Sequence, residues 1–240
     1  MRAISSILGI LLLTAPTQGS DPQEKARSAQ LDDILNELRA IRKLMEAGKS
    51  KTQPEAEPCE VTLAVKDSPL LGSKDAPLTV VEFVDYRCHY CKQCCRQTFQ
   101  DIKHIYIDSK QVRFYVVDFP IDNQPASLLA AAAGRCSGEQ GNFWTLHEKL
   151  IAADERLDAY KITEIAKMAG LDIPSFQKCL NSDKYKDQIE EGVQEAASAG
   201  VMGTPTFIIG ASTATGVKGE LVTGALTFGA FQERITKFSK

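Results

Sequence analysis

The hydrophobic positions after residue 60 alternate between strand-like runs and helical stripes. Leu78–Val84 is a nearly continuous apolar run rich in β-branched residues, which is typical of a buried central strand. Residues 88–109 contain neither Gly nor Pro and carry a helical stripe of apolar side chains. Residues 111–119 form a second apolar run, which Pro120 ends. A strand, a helix and a strand in this order predict a βαβ unit.

The middle of the chain has a different pattern. Residues 124–199 carry several helix-forming segments separated by Gly and Pro, and this pattern predicts a helical block. Strand patterns return within residues 200–240, which close with an amphipathic helix. We therefore expect an α/β fold in which residues 60–123 and 200–240 form one domain and residues 124–199 are inserted into it.

The stretch before residue 60 divides into three parts. Residues 1–19 have a positive charge, a short apolar core and small residues at a cleavage position, which predicts a signal peptide; the alternative is an uncleaved membrane anchor. Residues 21–48 predict a polar helix, in which apolar residues recur at spacings of 3 and 4 over residues 31–45. This stripe indicates either an oligomerisation helix or a helix that packs on its own domain. Residues 49–58, with two prolines and both charge signs, predict a linker.

The composition is ordinary except for its cysteines, which add candidate chemistry to the predicted fold. The net charge of −3 argues against a protein that coats nucleic acid, and 43% hydrophobic with 25% charged residues is ordinary for a soluble globular protein. There are seven cysteines, an odd number that cannot pair completely within one chain. Four of them, here called the clustered cysteines, fall within eight residues: Cys88, Cys91, Cys94 and Cys95. A signal peptide would take them to an oxidising compartment, the periplasm or cell envelope.

The motif Cys88-His89-Tyr90-Cys91 begins a predicted helix directly after the predicted central strand. Unpaired amides and the positive end of the helix dipole favour a thiolate at Cys88, and His89 adds to this if it donates a hydrogen bond. Such a thiolate is a nucleophile and a good leaving group. Cys91, one turn further on, can attack a mixed disulfide and resolve it. Half a zinc site and a structural disulfide are the alternatives for this spacing.

Two further positions add chemistry to this motif. Glu82 lies within the apolar run of the central strand, where a carboxylate is costly unless it has a partner or a role. It could accept a proton from Cys91, or be a rim-facing residue with no role. Thr204-Pro205 begins a later apolar strand, a position that fits a cis-proline, with an ordinary trans-proline as the alternative.

Taken together, these motifs resemble the DsbA-like thiol–disulfide oxidoreductases of bacterial envelopes. The resemblance covers about residues 68–240 and is carried by residues 81–83, the C-x-x-C motif, residues 139–144 and residues 203–206. It implies a thioredoxin-like fold with a helical insertion, here preceded by an N-terminal amphipathic helix. No cofactor is implied.

The resemblance also implies a role for each matching residue. Cys88 corresponds to the exposed nucleophile and Cys91 to the resolving thiol. Pro205 corresponds to the cis-proline that faces them, and the backbone of Thr204 to a contact with bound substrate. Glu82 matches the buried acid of the family.

Two details depart from the best-known oxidase pattern. His-Tyr stands between the cysteines instead of Pro-His, and Thr instead of Val precedes the proline. Both Tyr90 and Thr204 resemble the disulfide isomerases of the same compartment, which are oligomers built through an N-terminal segment. We therefore expect cysteine-containing envelope proteins as substrates, a redox partner and a homo-oligomer through residues 31–45, with no nucleic acid. Oxidase, isomerase and reductase all stay open.

The remaining cysteines have weaker patterns. A structural disulfide between Cys136 and Cys179 is favoured over two separately buried thiols. Cys59, Cys94 and Cys95 remain, and at most two of these three can pair. We expect one of Cys94 and Cys95 to be buried as a small apolar residue and the other to bond Cys59 or to modulate the active site. The alternative function is a metal-binding or metal-delivery protein that uses the clustered cysteines.

Three further residues are expected to have structural roles only. His104 and His147 lie on predicted helices and are expected to be exposed or satisfied by a hydrogen bond. Trp144 is expected in the core of the helical block.

Overall fold

The structure is a computed structural model that describes residues 22–50, 60–121, 124–153 and 156–239. The predicted signal peptide (1–19), Cys59 and residues 51–58 of the predicted linker lie outside the described residues. The chain divides into two units, Met1–Glu55 and Ala56–Lys240.

Helix α1, Pro22–Ser50, is the described part of the first unit. Its predicted apolar stripe is solvent-exposed, because five large side chains keep 47–58% of their surface accessible: Leu31, Ile34, Leu35, Leu38 and Ile41. The side chain of Met45, at the end of the stripe, is outside the described part. The helix also includes Lys49 and Ser50, which the sequence assigns to the linker, since no proline occurs before Pro54 to stop it.

The second unit is built on a six-stranded sheet with the order β1-β6-β5-β3-β4-β2. The strands are β1 Glu60–Ala64, β2 Leu70–Leu71, β3 Leu78–Val84, β4 Val112–Asp118, β5 Thr206–Ser212 and β6 Gly216–Thr223. β3 pairs in parallel with β4 and antiparallel with β5. Every residue of β3 is buried, as its apolar run predicts for a central strand.

Helices connect the strands on both faces of the sheet. Between β3 and β4 lie α2 His89–Cys94 and α3 Gln100–Ile102, continued by π-helical turns at Cys95–Phe99 and Lys103–Ile107. Between β4 and β5 lie α4 Pro125–Gly138, α5 Phe143–Ala152, α6 Ala159–Met168, α7 Ile173–Leu180 and α8 Lys186–Ser198, and α9 Phe228–Phe238 closes the chain. The predicted helical insertion is therefore confirmed, with five helices among the residues that the structure describes between β4 and β5.

The core has two parts because side chains of a strand alternate between the faces of the sheet. Val80 and Val84 of β3 belong to the larger part, which also contains buried side chains of α2, α4–α7 and α9. Val81 and Phe83 belong to the smaller part, which packs against α8. Glu82 shares its face with Val80 and Val84, the face that α2 covers.

The helical insertion is fixed both internally and to the sheet. A disulfide joins Cys136 of α4 to Cys179 of α7. Trp144 of α5 stacks on Phe99 and donates its indole N–H to the Leu70 carbonyl at 2.9 Å. Trp144 also packs on Phe143 and His147 of the insertion, so its core position is shared between the insertion and the sheet. Among the described residues, no helix combines the length and apolarity needed to cross a membrane.

Candidate active site

Cys88 stands at the junction between the central strand and helix α2. It is the N-cap residue of α2, with an extended backbone (φ −68°, ψ 121°), and its amide donates to the Asp85 carbonyl at 2.9 Å. The first amides of the helix lack intrahelical acceptors and therefore point toward the N-cap side chain. The Cys88 thiol is half-buried and lies 3.2 Å from the Thr204 carbonyl oxygen.

These surroundings stabilise a thiolate at Cys88. Its pKa falls from the ordinary 9 to about 5, mainly because the Cys91 side chain donates a hydrogen bond to it. Partial burial opposes this change in pKa, while hydrogen bonds from the Thr204 side chain and from the backbone amides of Tyr90 and Cys91 support it. Cys88 is therefore ionised at neutral pH.

Cys91 has the opposite character. Its side chain is fully buried, and burial raises the pKa of its thiol far above the ordinary value. The hydrogen bond to Cys88 and the negative charges of Glu82 and Cys88 raise that pKa further. Cys91 is thus a proton-bearing thiol as long as Cys88 is a thiolate.

Glu82 is the buried acid beneath the two cysteines. It is 6% exposed, and burial followed by the charge of Cys88 raises its pKa from 4.5 to about 8. A carboxyl group with a pKa near neutral can exchange a proton at physiological pH. The rim-facing interpretation of Glu82 is wrong because the side chain lies under α2.

The peptide bond between Thr204 and Pro205 is cis. Pro205 is buried at the start of β5, and its carbonyl accepts from the Gly224 amide at 2.8 Å. A shallow groove beside it is lined by Tyr90, Gln93, Thr204, Pro205, Gly224 and Ala225. Tyr90 is 61% exposed on one side of the cysteines, and Met202 is 92% exposed just before the cis bond.

Cys94 and Cys95 differ from the C-x-x-C pair. Cys94 is buried and Cys95 half-buried, as expected for one of the two. Burial raises the pKa of Cys94 well above its ordinary range and that of Cys95 to about 12. Within the part of the chain that the structure describes, no three Cys, His, Asp or Glu side chains converge as a metal ion would require. The clustered cysteines lie along one helix, and they do not form a ligand cage.

Sequence reasoning missed two polar pairs near this site. The Tyr86 hydroxyl lies 3.0 Å from Nδ1 of His147, and Arg135 Nε donates to Asp118 Oδ2 at 2.6 Å. The side chains of Tyr86, His147 and Asp118 are almost fully buried, and that of Arg135 is slightly more exposed. Asp118 could have been recognised as a buried carboxylate with a partner, because it is a polar residue inside an apolar run. For His147 the sequence predicted either exposure or a hydrogen bond, without naming the partner.

Comparison with known proteins agrees with this geometry. A family model described as Thioredoxin matches residues 64–234. A Na(+)/H(+) antiporter NhaA 3 of Salinispora tropica is 32% identical over 139 residues, which are 58% of this chain and 21% of that protein. A putative protein-disulfide oxidoreductase of Rickettsia felis is 28% identical over 67% of this chain and 60% of its own length. The crystal structure of oxidised BdbD from Bacillus subtilis superposes with a TM-score of 0.65 at 25% identity, covering 75% of this chain and 97% of that one.

The chain belongs to the thioredoxin family. The predicted resemblance to DsbA-like proteins is confirmed, and so is the thioredoxin-like fold with a helical insertion. This chain spans only about a fifth of the antiporter's length and 60% of the Rickettsia protein's.

Proposed function

We propose that this protein is a thiol–disulfide oxidoreductase whose reacting pair is Cys88 and Cys91. The observation that carries the proposal is the contrast between two cysteines one helical turn apart: Cys88 has a pKa of about 5 and is accessible, while Cys91 is buried and keeps its proton. Cys88 is ionised while Cys91 is not. Cys88 therefore attacks first, and Cys91 reacts in the second step.

The reaction consists of two disulfide exchanges. The Cys88 thiolate attacks one sulfur of a substrate disulfide, forming a mixed disulfide and releasing the other substrate sulfur as a thiolate. Cys91 then loses its proton and attacks the Cys88 sulfur, which forms the Cys88–Cys91 disulfide and releases the second substrate thiolate. The substrate gains two electrons and the protein loses two. Run in reverse, the same steps oxidise a dithiol substrate.

Glu82 is proposed to accept the Cys91 proton during the second step. Because its pKa is about 8, most copies of Glu82 hold a proton at pH 7, and the ionised remainder is the form that accepts the Cys91 proton; this form becomes the majority above pH 8. The negative charge that it carries when ionised opposes ionisation of Cys91, so proton transfer and attack are coupled.

Thr204 and Pro205 are proposed to hold the substrate beside Cys88. The groove next to the cis bond is shallow and open, which suits an extended polypeptide. Exposed Tyr90 supplies apolar surface, and His89, also exposed and 5.7 Å ring to ring from Tyr90, borders the same side. We therefore propose cysteine-containing proteins as substrates.

The compartment is proposed from the sequence, whereas the direction of electron flow is left to a measurement. A signal peptide over residues 1–19 would send the chain to the periplasm or cell envelope, where its substrates and a membrane or soluble redox partner would be found. The reduction potential of the Cys88–Cys91 pair distinguishes the directions. A value near about −120 mV indicates an oxidase, and one near about −270 mV a reductase.

Helix α1 is proposed to assemble copies of this chain through residues 31–45. Its a and d positions are half-exposed in a single copy, and a second helix with the same stripe would bury them. Glu37 and Arg42 flank the stripe at g and e positions, where a parallel partner helix brings opposite charges together. A second copy is therefore the proposed occupant of this face.

The function is tested with reduced protein and scrambled ribonuclease. Cys88→Ala should abolish reactivation of the ribonuclease, and Cys91→Ala should accumulate a mixed disulfide at Cys88 that is visible on a non-reducing gel. Cys95→Ala is the matched control and should behave as the wild type. Full activity of Cys88→Ala would overturn the proposal.

A further inference from the structure

A tyrosine just before Cys88 contacts a histidine of the helical insertion. The Tyr86 hydroxyl lies 3.0 Å from Nδ1 of His147, and the two rings meet edge to face at 5.5 Å. Tyr86 belongs to the segment between β3 and α2, whereas His147 belongs to α5. Neither side chain takes part in the proposed exchange steps.

The surroundings of this pair are shaped to hold it. The His147 ring stacks on Phe143 at 5.6 Å and meets Trp144 edge to face at 5.4 Å. Gly134 of α4 lies against the pair, and a Cβ atom at that position would stand 3.1 Å from the Tyr86 hydroxyl and 3.3 Å from the Phe143 ring. The absence of a side chain at Gly134 therefore leaves room for the hydroxyl.

Both partners are neutral over the physiological range. Burial raises the pKa of Tyr86 well above its ordinary value, and burial lowers the pKa of His147 from 6.5 to about 4. A neutral imidazole has one donor and one acceptor nitrogen, and a phenol can serve either of them. The hydrogen bond thus persists while Cys88 changes its charge.

Tyr86 is one anchor of the segment that leads to Cys88. Another is Asp85, whose carboxylate accepts from the amides of Arg87 at 2.8 Å and Ile121 at 3.0 Å. The Cys88 amide in turn donates to the Asp85 carbonyl. Asp85 ties the segment to the end of β4, and Tyr86 ties it to α5.

We propose that His147 is a positioning residue for Cys88, because its hydrogen bond with Tyr86 fixes the segment that places the Cys88 sulfur near Thr204 and the first amides of α2. The inference rests on the proposed function, since Cys88 is the reacting thiol there. Hydrogen bonds to a thiolate weaken steeply with distance and angle, so a loosened segment would stabilise the thiolate less. The helical insertion would then help to set the reactivity of the cysteine.

The test is a titration of Cys88 in the reduced protein, followed by thiolate absorbance in the ultraviolet. Tyr86→Phe and His147→Leu should each raise the Cys88 pKa by about one unit, a tenfold loss of thiolate relative to thiol at a pH above the wild-type pKa. The double variant should show no further increase, because both changes remove the same hydrogen bond. His147→Asn, whose amide stands near the position of Nδ1, should keep the pKa within about 0.3 units of the wild type.

Controls separate this inference from the proposed function. Tyr106→Phe alters another buried tyrosine, one that packs on Phe228, and should leave the Cys88 pKa unchanged. If His147→Leu does not fold, Tyr86→Phe and His147→Asn still give the comparison. A low wild-type pKa that neither Tyr86→Phe nor His147→Leu moves, or additive shifts in the double variant, would overturn the positioning role alone. A wild-type Cys88 pKa near that of a free thiol would overturn the proposed function as well.

Discussion

At the scale of single residues, the cysteine thiols along one helix differ in their pKa and therefore in their charge. Cys88 is held as a thiolate by hydrogen bonds, while burial keeps Cys91, Cys94 and Cys95 protonated. The sequence motif identifies the first two by their spacing. It does not distinguish the others, because burial depends on which side of the helix meets the sheet.

This contrast predicts the pH dependence of alkylation. Iodoacetamide should modify Cys88 with a rate that rises through a midpoint near pH 5, since only the thiolate reacts. Cys95 should react only at strongly alkaline pH because its pKa is about 12. Peptide mass mapping of samples quenched across the pH range measures both. Equal labelling of Cys88 and Cys95 at pH 7 would contradict the assignment.

Glu82 predicts a pH-dependent stability. Its pKa is raised from 4.5 to about 8, so between these values the folded state holds a proton that the unfolded state has lost. Stability therefore falls as pH rises through this window. Glu82→Gln should match the wild type near pH 4 and exceed it by on the order of 2 to 3 kcal/mol at pH 7.

Urea unfolding of the reduced protein at pH 4, 6 and 8 tests this expectation. Glu60→Gln, at an exposed residue of β1, is the matched control and should follow the wild type at each pH. A constant difference between Glu82→Gln and the wild type across the three pH values would exclude a raised pKa at Glu82.

At the scale of elements, the disulfide between α4 and α7 fixes the insertion. It closes a loop with a sequence separation of 43 residues. Chain entropy predicts that a cross-link of this span stabilises the folded state by about 4 kcal/mol, less any strain. It also holds α4, which carries Gly134 and Arg135, in one orientation.

Removing this disulfide should therefore lower stability without removing the reacting pair. Cys136→Ala combined with Cys179→Ala should lower the free energy of unfolding by about 2 to 4 kcal/mol. Alkylation of Cys88 at pH 7 should continue. Urea unfolding at pH 7 gives the first quantity, and a loss below about 1 kcal/mol would show that packing alone holds α4 against α7.

The elements also show how far a sequence predicts this fold. Leu78–Val84 and the residues after Cys88 were predicted because a long apolar run and a helical stripe depend on local pattern alone. Strand β2 was not predicted, since it has two residues and depends on pairing with β4. The π-helical turns were also missed. They bring neighbours such as Thr98 and Phe99 into the core together, which a regular helical period does not describe.

The residues of the site also divide into those that a local sequence pattern predicts and those that it does not. The C-x-x-C motif, Glu82 and the Thr-Pro pair stand out in the sequence because each is chemically unusual for its position. The Tyr86–His147 contact spans 61 positions and joins two residues that are ordinary in their own segments. Contacts of this kind depend on how the insertion packs against the sheet, which no local pattern contains.

At the scale of the whole molecule, the exposed stripe of α1 predicts an assembly. Ile34→Lys with Leu38→Lys places charges on a d and an a position and should convert the oligomer to a monomer in sedimentation equilibrium. Asn36→Lys, on the opposite face of α1, should keep the wild-type mass. A monomeric wild type would contradict the proposed assembly.

The assembly also has a functional expectation. If several active sites act on one substrate, a chain lacking residues 21–50 should refold scrambled ribonuclease more slowly. Its Cys88 should titrate as in the full chain. Equal refolding rates with and without this segment would separate oligomerisation from activity.

The unequal acidity of Cys88 and Cys91 has a further consequence, for the Nernst slope of the pair. Above about pH 5, reduction of the disulfide takes up two electrons but only one proton, because Cys88 remains a thiolate while Cys91 is protonated. A two-electron, one-proton couple shifts by about 30 mV per pH unit, half the slope of an ordinary dithiol. When the pH of the envelope changes, the reduction potential of this protein would therefore shift less than the reduction potentials of its dithiol substrates.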